Sequence, residues 1–375
     1  MNSQTSTRRP TPAIKKALRF LTLVAVGFFV VLQILVHHSR QKPVVVRFKS
    51  QAALAKIPLS VDSYPCLLVE RSGKELHAKL TTCTPALHND AAIEQYEVDL
   101  RSGRFTLRQT DLFVPDTMPL ALTRGYRLWD RSRAFGLGGN HPYDIFPYGD
   151  RFPYTYMELL LGDGVTVHYD RISEGTSYID NVEEHRGTSD TVFQNSRISW
   201  NRDHWDMTFQ DGTLYRFPEA YNAKRGADGA LVGMRSPQGQ EIRFVRDTVH
   251  NLKSITSPKG HSIQFAYDFS NRIIDASDDA GNSVHYSYDQ DGRLAEVRKG
   301  RNLIWRYSYD GTGMTSVERA GKEIVVNTTY LRGRIGSVTI GKGRTYRFDY
   351  LFGPRNRVVE TSVTDPNGKK TVFRF

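Results

Sequence analysis

The sequence predicts an all-β protein: antiparallel hairpin repeats wound as a curved sheet or partial β-shell, preceded by one N-terminal transmembrane helix. Three observations carry this. A short phrase recurs between residues 242 and 350, mostly at 21-residue steps. Within each phrase, large residues alternate with polar or small ones, the period-two pattern of a half-buried strand. Helical periodicity is hard to find after residue 60. A period of that size marks an array whose units bury their apolar faces against their neighbours.

The first element is a basic tail, residues 1–16. Residues 20–36 then run without a charge, and thirteen of the seventeen are Leu, Ile, Val or Phe. As a helix they span about 26 Å, near the lower limit for crossing a bilayer. With its flank this gives a transmembrane helix at residues 17–36, and the lipid bilayer as a partner. No small-x-small cleavage site follows, so the segment reads as an uncleaved anchor rather than a signal peptide. Arg8, Arg9, Lys15, Lys16 and Arg19 precede its core, which places the amino terminus in the cytoplasm and the β region outside it. Residues 37–60 read as a tether.

Charge separates these elements from the rest. The chain carries a formal +11, yet residues 1–61 hold ten Lys or Arg and no acid. The remainder is close to neutral, and a nucleic-acid binder would carry its charge on the folded domain. Nucleic acid is therefore not an expected partner.

Residues 61–110 form a small β region of short strand-like runs broken by Ser-Gly turns. Cys66 and Cys83 lie there and are a candidate disulfide in an exported protein. Residues 111–234 continue in the same manner, with Gly162-Asp-Gly164 and Asp211-Gly212 between alternating runs, a strong hairpin signal. The array follows at residues 235–375. Its phrases start at Ile242, Ile263, Val284, Trp305, Val326 and Tyr346 and end at Arg246, Tyr267, Tyr288, Tyr309, Tyr330 and Tyr350. The inward rows include Phe265, Tyr286, Trp305, Tyr307 and Phe348. These rows are expected to stack ring on ring across adjacent strands. Turns such as Ser257-Pro-Lys-Gly260 and Asp365-Pro-Asn-Gly368 close each unit.

The pairs Tyr267-Asp268, Tyr288-Asp289 and Tyr309-Asp310 resemble the YD-repeat, or Rhs-repeat, family over residues 235–375. The match weakens after Tyr330, where Leu331 and later Leu351 replace the aspartate. Upstream, Asp111-Leu-Phe-Val-Pro115, Pro119-Leu-Ala-Leu-Thr-Arg124-Gly-Tyr126, Phe135-Gly136-Leu-Gly138 and His141-Pro-Tyr143-Asp144 resemble the segment that precedes the repeats in Rhs proteins. That segment usually has Trp where this chain has Gly139. The resemblance implies a sheet wound into a hollow shell able to hold a cargo polypeptide, often in bacterial toxin systems. Family shells are usually longer, so the array reads as truncated at the C-terminus. A downstream YD-repeat or toxin polypeptide is then expected to complete its edge.

No stretch carries a strong catalytic, cofactor or metal motif, and the expectation is a scaffold, not an enzyme. Asp289-Gln-Asp291-Gly292 looks like the start of a calcium loop but lacks the later ligands. Asp278-Asp279 occupies a turn slot. His141 with Asp144 is the best group for a hidden enzyme, and His204 sits between Trp200 and Trp205. The tyrosines at 267, 288, 309, 330 and 350 read as structural. The rival reading is a cell-surface carbohydrate- or protein-binding module that uses outward residues such as Arg243, Arg306, Arg347 and Asp349.

Overall fold

Each repeat folds as one antiparallel hairpin, and the reason is visible in the third. Strands Ser283–Tyr288 and Leu294–Lys299 pair with Tyr286 opposite Val297. The ladder then slips between Ser287 and Tyr288, so Tyr288 faces Leu294 across a bulge. Bulges turn a strand and re-aim its side chain. The next residue, Asp289, organises the turn: its Oδ1 accepts from the backbone N–H of Asp291 and Arg293, at 3.0 and 2.9 Å. Gly292 supplies the left-handed residue, φ 79°. The repeat before it does the same with Asp268, Ser270 and Arg272, and Asn271 at φ 61°.

The computed structural model describes residues 53–54, 63–87, 91–127, 132–187, 191–220, 223–224, 226–321 and 323–375. The basic tail, the transmembrane segment expected at residues 17–36 and most of the tether lie outside the described residues. Among the described residues no helix is long and apolar enough to cross a membrane, and the only helical turns are Gly226–Gly229 and Pro354–Asn356.

The hairpins join into one antiparallel meander from Phe146–Gly149 to Lys370–Arg374. It closes as a barrel through the two-residue strand Ala53–Leu54, which pairs in parallel with the last strand, Ala53 to Thr371 and Leu54 to Val372. The sequence leaves the outer edge of that last strand unpaired. In the structure, two residues assigned to the tether cover part of it.

A second, six-stranded antiparallel sheet has the order Glu75–Cys83, Tyr64–Ser72, Glu94–Asp99, Arg104–Val114, Leu120–Arg127, Gly139–Asn140. It runs across position 110, where the sequence suggests a boundary. Its apolar residues and those of the meander form one continuous core, with Leu67, Tyr96, Phe105, Leu107 and Leu122 beside Tyr286, Tyr307, Val338 and Phe348. The inner face of the repeats therefore packs on this inner sheet. The hollow interior implied by resemblance is occupied by the chain's own strands.

The repeat rows also differ from expectation. Strands that carry the aromatic rows are not adjacent; the second strand of each hairpin lies between them. Phe265 faces Ala276, Tyr286 faces Val297, Tyr307 faces Val317 and Phe348 faces Val363. Rings alternate with aliphatic side chains, which puts successive rings roughly 10 Å apart, two strand spacings. Outward positions are polar, among them Gln264, His285, Arg306 and Arg347. That is the reverse of the apolar outer band a membrane-spanning barrel presents.

Candidate functional site

Charged residues inside buried strands mark the place where the two sheets meet. Strands Arg104–Val114 and Leu120–Arg127 are buried at most positions, and among the side chains they bury are Arg108, Gln109 and Arg124. A buried charge must be paired and hydrogen-bonded or it destabilises the fold. Arg124 meets Asp111 through two bonds, Nε to Oδ2 at 3.0 Å and Nη2 to Oδ1 at 3.2 Å, with both side chains almost wholly buried. Its Nη2 also donates to Gln109 Oε1 at 3.0 Å.

Two repeat tyrosines complete this cluster. Tyr286 donates its hydroxyl to Asp111 Oδ2 at 2.9 Å, and Tyr307 donates to Gln109 Oε1 at 2.5 Å. The Tyr307 ring lies under the Arg124 guanidinium, 5.3 Å from its centroid. Gln109 in turn donates to Tyr96, whose hydroxyl reaches Glu94. Burial first, and the Asp111 charge second, push the Tyr286 hydroxyl well above its ordinary pKa. Burial alone would lower the Arg124 guanidinium, but Asp111 outweighs it and raises it. Both groups therefore stay in the ionisation states that the network needs.

Further contacts extend the clasp. Arg108 bridges Asp163 at 2.6 Å and Glu97 at 2.8 Å. Tyr126 donates to the Thr312 carbonyl and accepts from the Met314 N–H. Thr361 donates to the Leu100 carbonyl, and the Ile335 N–H to that of Gly103. Gly136, at φ 78°, packs so closely that an added Cβ would lie 2.3 Å from the Gly292 carbonyl oxygen. At Gly139, an added Cβ would lie 2.6 Å from the Phe135 carbonyl oxygen, which leaves no room for the tryptophan of the family pattern.

The five sequence-selected tyrosines form a second regular feature. Tyr267, Tyr288, Tyr309, Tyr330 and Tyr350 are half-buried against the core. Their hydroxyls donate to the carbonyls of Leu252, Ile273, Leu294, Met314 and Ile335, at 3.0, 2.6, 2.8, 2.9 and 2.9 Å. Each acceptor belongs to the second strand of the preceding hairpin. Arginines four places after the turn aspartates lie over the next rings, Arg272 on Tyr288 and Arg293 on Tyr309. Phe265 packs 5.9 Å from His141, Tyr286 lies 4.8 Å from Phe135, Trp305 lies under Arg319, and Phe348 is buried. Cys66 and Cys83 are joined by a disulfide between the first two strands of the inner sheet, with Cα atoms 5.9 Å apart.

The other candidates come apart on geometry. His141 is buried between the Phe135 and Phe265 rings, and its Nδ1 accepts from the Tyr143 N–H. Burial lowers its pKa to about 4, against the opposing pull of Asp144. Burial would raise Asp144, but the charges of His141, Arg133 and Arg246 hold it low. Both side chains are buried. Arg293 occupies the acidic turn, 2.7 Å from both Asp289 and Asp291. Asp278 accepts from Asn282, while Asp279 pairs with His261. His204 lies between Asp203 and Asp206. Among the described residues no group of three or more His, Cys, Asp or Glu could hold a metal. Arg306 is tied to Glu296 and Glu318, whereas Arg243, Arg347 and Asp349 stand outward and exposed.

Sequence reasoning missed the clasp. Asp111 and Arg124 were visible only as parts of a motif, and Gln109, Arg108, Asp163 and Glu97 were not visible at all. The available signal was charge at positions where the flanking strand pattern is apolar.

The fold and the clasp define a hairpin-repeat wall braced from inside. Residues 207–328 and 259–371 match the family model of the teneurin YD-shell, and residues 95–169 match the domain of unknown function DUF6531. The chain belongs to the Rhs/YD-repeat family. No curated protein matches it in sequence. Among solved structures it is similar to the Photorhabdus luminescens Tc holotoxin pore with 14% identity, over 74% of this chain and 15% of that one, TM-score 0.30. It is also similar to the TcdB2–TccC3 structure with 11% identity, over 82% of this chain and 19% of that one, TM-score 0.31. The chain thus spans less than a fifth of the length of either.

Proposed function

We propose that this chain is a non-catalytic wall: an exported YD-repeat shell segment held to the membrane by residues 17–36 and braced by its own inner sheet. The observation that carries this is the pair of repeat hydroxyls, Tyr286 and Tyr307, bound into the buried Arg124–Asp111–Gln109 network. A repeat face able to line a cargo chamber is here an intramolecular interface. The buried His141 supports the non-catalytic reading.

In a toxin-type system such a wall joins a separate polypeptide at its outside or along the remainder of the Lys370–Arg374 edge, and does not swallow it. The test is to co-express the full chain with the product of the reading frame immediately downstream, capture the complex and add protease. Association with the partner still digestible is the expected result. A partner that becomes protease-resistant overturns the braced-wall reading, and no association removes the partner. Protease added to spheroplasts should digest the β region if it is exported.

One observation favours a second reading. Arg235, Glu241 and Arg243 line an open groove of about 280 Å³ with Arg216. A glycan array showing a ligand lost in Arg243→Ala would make the chain a binding module instead.

A further inference from the structure

In a meander, successive turns fall on alternate rims. One rim holds the turns at residues 150–155, 172–181, 202–203, 219–232, 247–251, 268–272, 289–293, 311–312, 332–333 and 353–357. Large exposed apolar side chains gather there. Of the thirteen among the described residues, eleven lie in these turns or within two residues of one; Val192 and Ile324 are the exceptions. Phe269 is 97% exposed, Phe152 78% and Ile179 67%. From this asymmetry we infer that this rim is a membrane-interface surface that seats on zwitterionic lipid headgroups.

Three features choose a bilayer as the occupant. The apolar groups are spread over seven separate turns, and Val249 and Phe269 stand on neighbouring turns of the rim, roughly 10 Å apart by strand spacing. A protein partner would need a matched pocket for each tip, whereas a bilayer interface accepts apolar tips wherever they fall. Behind Phe152 and Ile179 comes a layer of amphipathic rings: Tyr154 lies 6.2 Å from Tyr178, which lies 5.3 Å from Trp200. Tyr and Trp settle at headgroup depth, with an apolar body and a polar handle. Charge decides the lipid type. Acid and base alternate along these turns, Asp150 beside Arg151, Arg202 beside Asp203, and Glu219 near Lys224. Paired signs match a zwitterionic headgroup, while an anionic surface would call for a basic excess.

The test uses the full chain in phosphatidylcholine vesicles that carry brominated lipid. Tryptophan is introduced at a tip (Phe152→Trp or Phe269→Trp), or mid-strand on the outer face (His285→Trp), and the unsubstituted chain supplies the background. The tip tryptophans are expected to shift to the blue and to be quenched well beyond His285→Trp, with or without added phosphatidylglycerol. Phe152→Ser placed in the Phe269→Trp chain should keep its melting temperature, because the Phe152 side chain is 78% exposed, and should weaken the blue shift and the quenching. Tip quenching no greater than His285→Trp overturns the inference. Quenching only with anionic lipid also overturns it, as does lipid-independent protection of the tips that grows with protein concentration, which would give the rim to a second copy.

Discussion

At the scale of single residues, the YD tyrosine is a bracket between hairpins. Its hydroxyl reaches a carbonyl of the preceding hairpin while its ring carries an arginine from the same side. Two contributions should therefore separate. Tyr288→Phe loses one hydrogen bond, about 1 kcal/mol. Tyr288→Ala also loses the ring, about 3–5 kcal/mol in all. Urea unfolding of both variants checks this; equal losses would show that the ring contributes nothing. Glu183 offers a pH prediction. It is fully buried, one carboxylate oxygen accepts from Asn181 and the other has no partner. Burial raises its pKa to about 7. The folded state then holds a proton that the unfolded state releases above about 4.5, so the stability Glu183 allows is full at low pH and is lost as pH rises through 7. Glu183→Gln should raise the melting temperature at pH 8, by about 1–3 kcal/mol of stability, and leave it unchanged at pH 4. His141 acts in the opposite sense, its folded pKa lying below the unfolded value, so it withdraws stability as pH falls from about 6.5 towards 4.

At the scale of the hairpin, identical dipeptides do different jobs. Asp289 accepts two backbone N–H groups and pairs with Arg293, whereas the turn after Tyr309 has only Gly311 and Thr312 between its strands, and the Asp310 carboxylate makes no such bonds. Asp289→Ala should cost about 1.5–3 kcal/mol, because bonds to an ionised acceptor are lost. Asp310→Ala should melt with the parent. Thermal unfolding of the two side by side is the measurement. The hairpins themselves were legible in the sequence because turn aspartate, left-handed Gly or Asn, and strand alternation are all local. The bulges at Tyr267, Tyr288, Tyr309 and Tyr330 were not, because a bulge is a matter of pairing; in the last repeat it falls at Phe352 instead of Tyr350.

At the scale of the whole molecule, the inner sheet decides what the repeats can do. Arg124→Met strands Asp111 without its cation in a dry interior, and such a break costs about 3–5 kcal/mol. Adding Asp111→Leu should recover part of that loss; a double variant no better than the single would mean that the pair is not the coupling element. Reduction of the Cys66–Cys83 bridge, which closes 17 residues, should cost about 3 kcal/mol in the chain-entropy picture. A melting temperature unchanged by reductant would contradict that.

Repeat length, the hairpin in each repeat and the face each ring occupies are legible in the sequence alone. These follow from period-two alternation and turn chemistry, which act over a few residues. Only the tertiary structure decided that the chain fills its own interior, that Ala53–Leu54 closes the sheet and that apolar tips gather on one rim. Those outcomes join residues such as Gln109 and Tyr307, 198 positions apart. Such pairings rest on complementary shape and charge between non-repeating segments, and no periodicity records them.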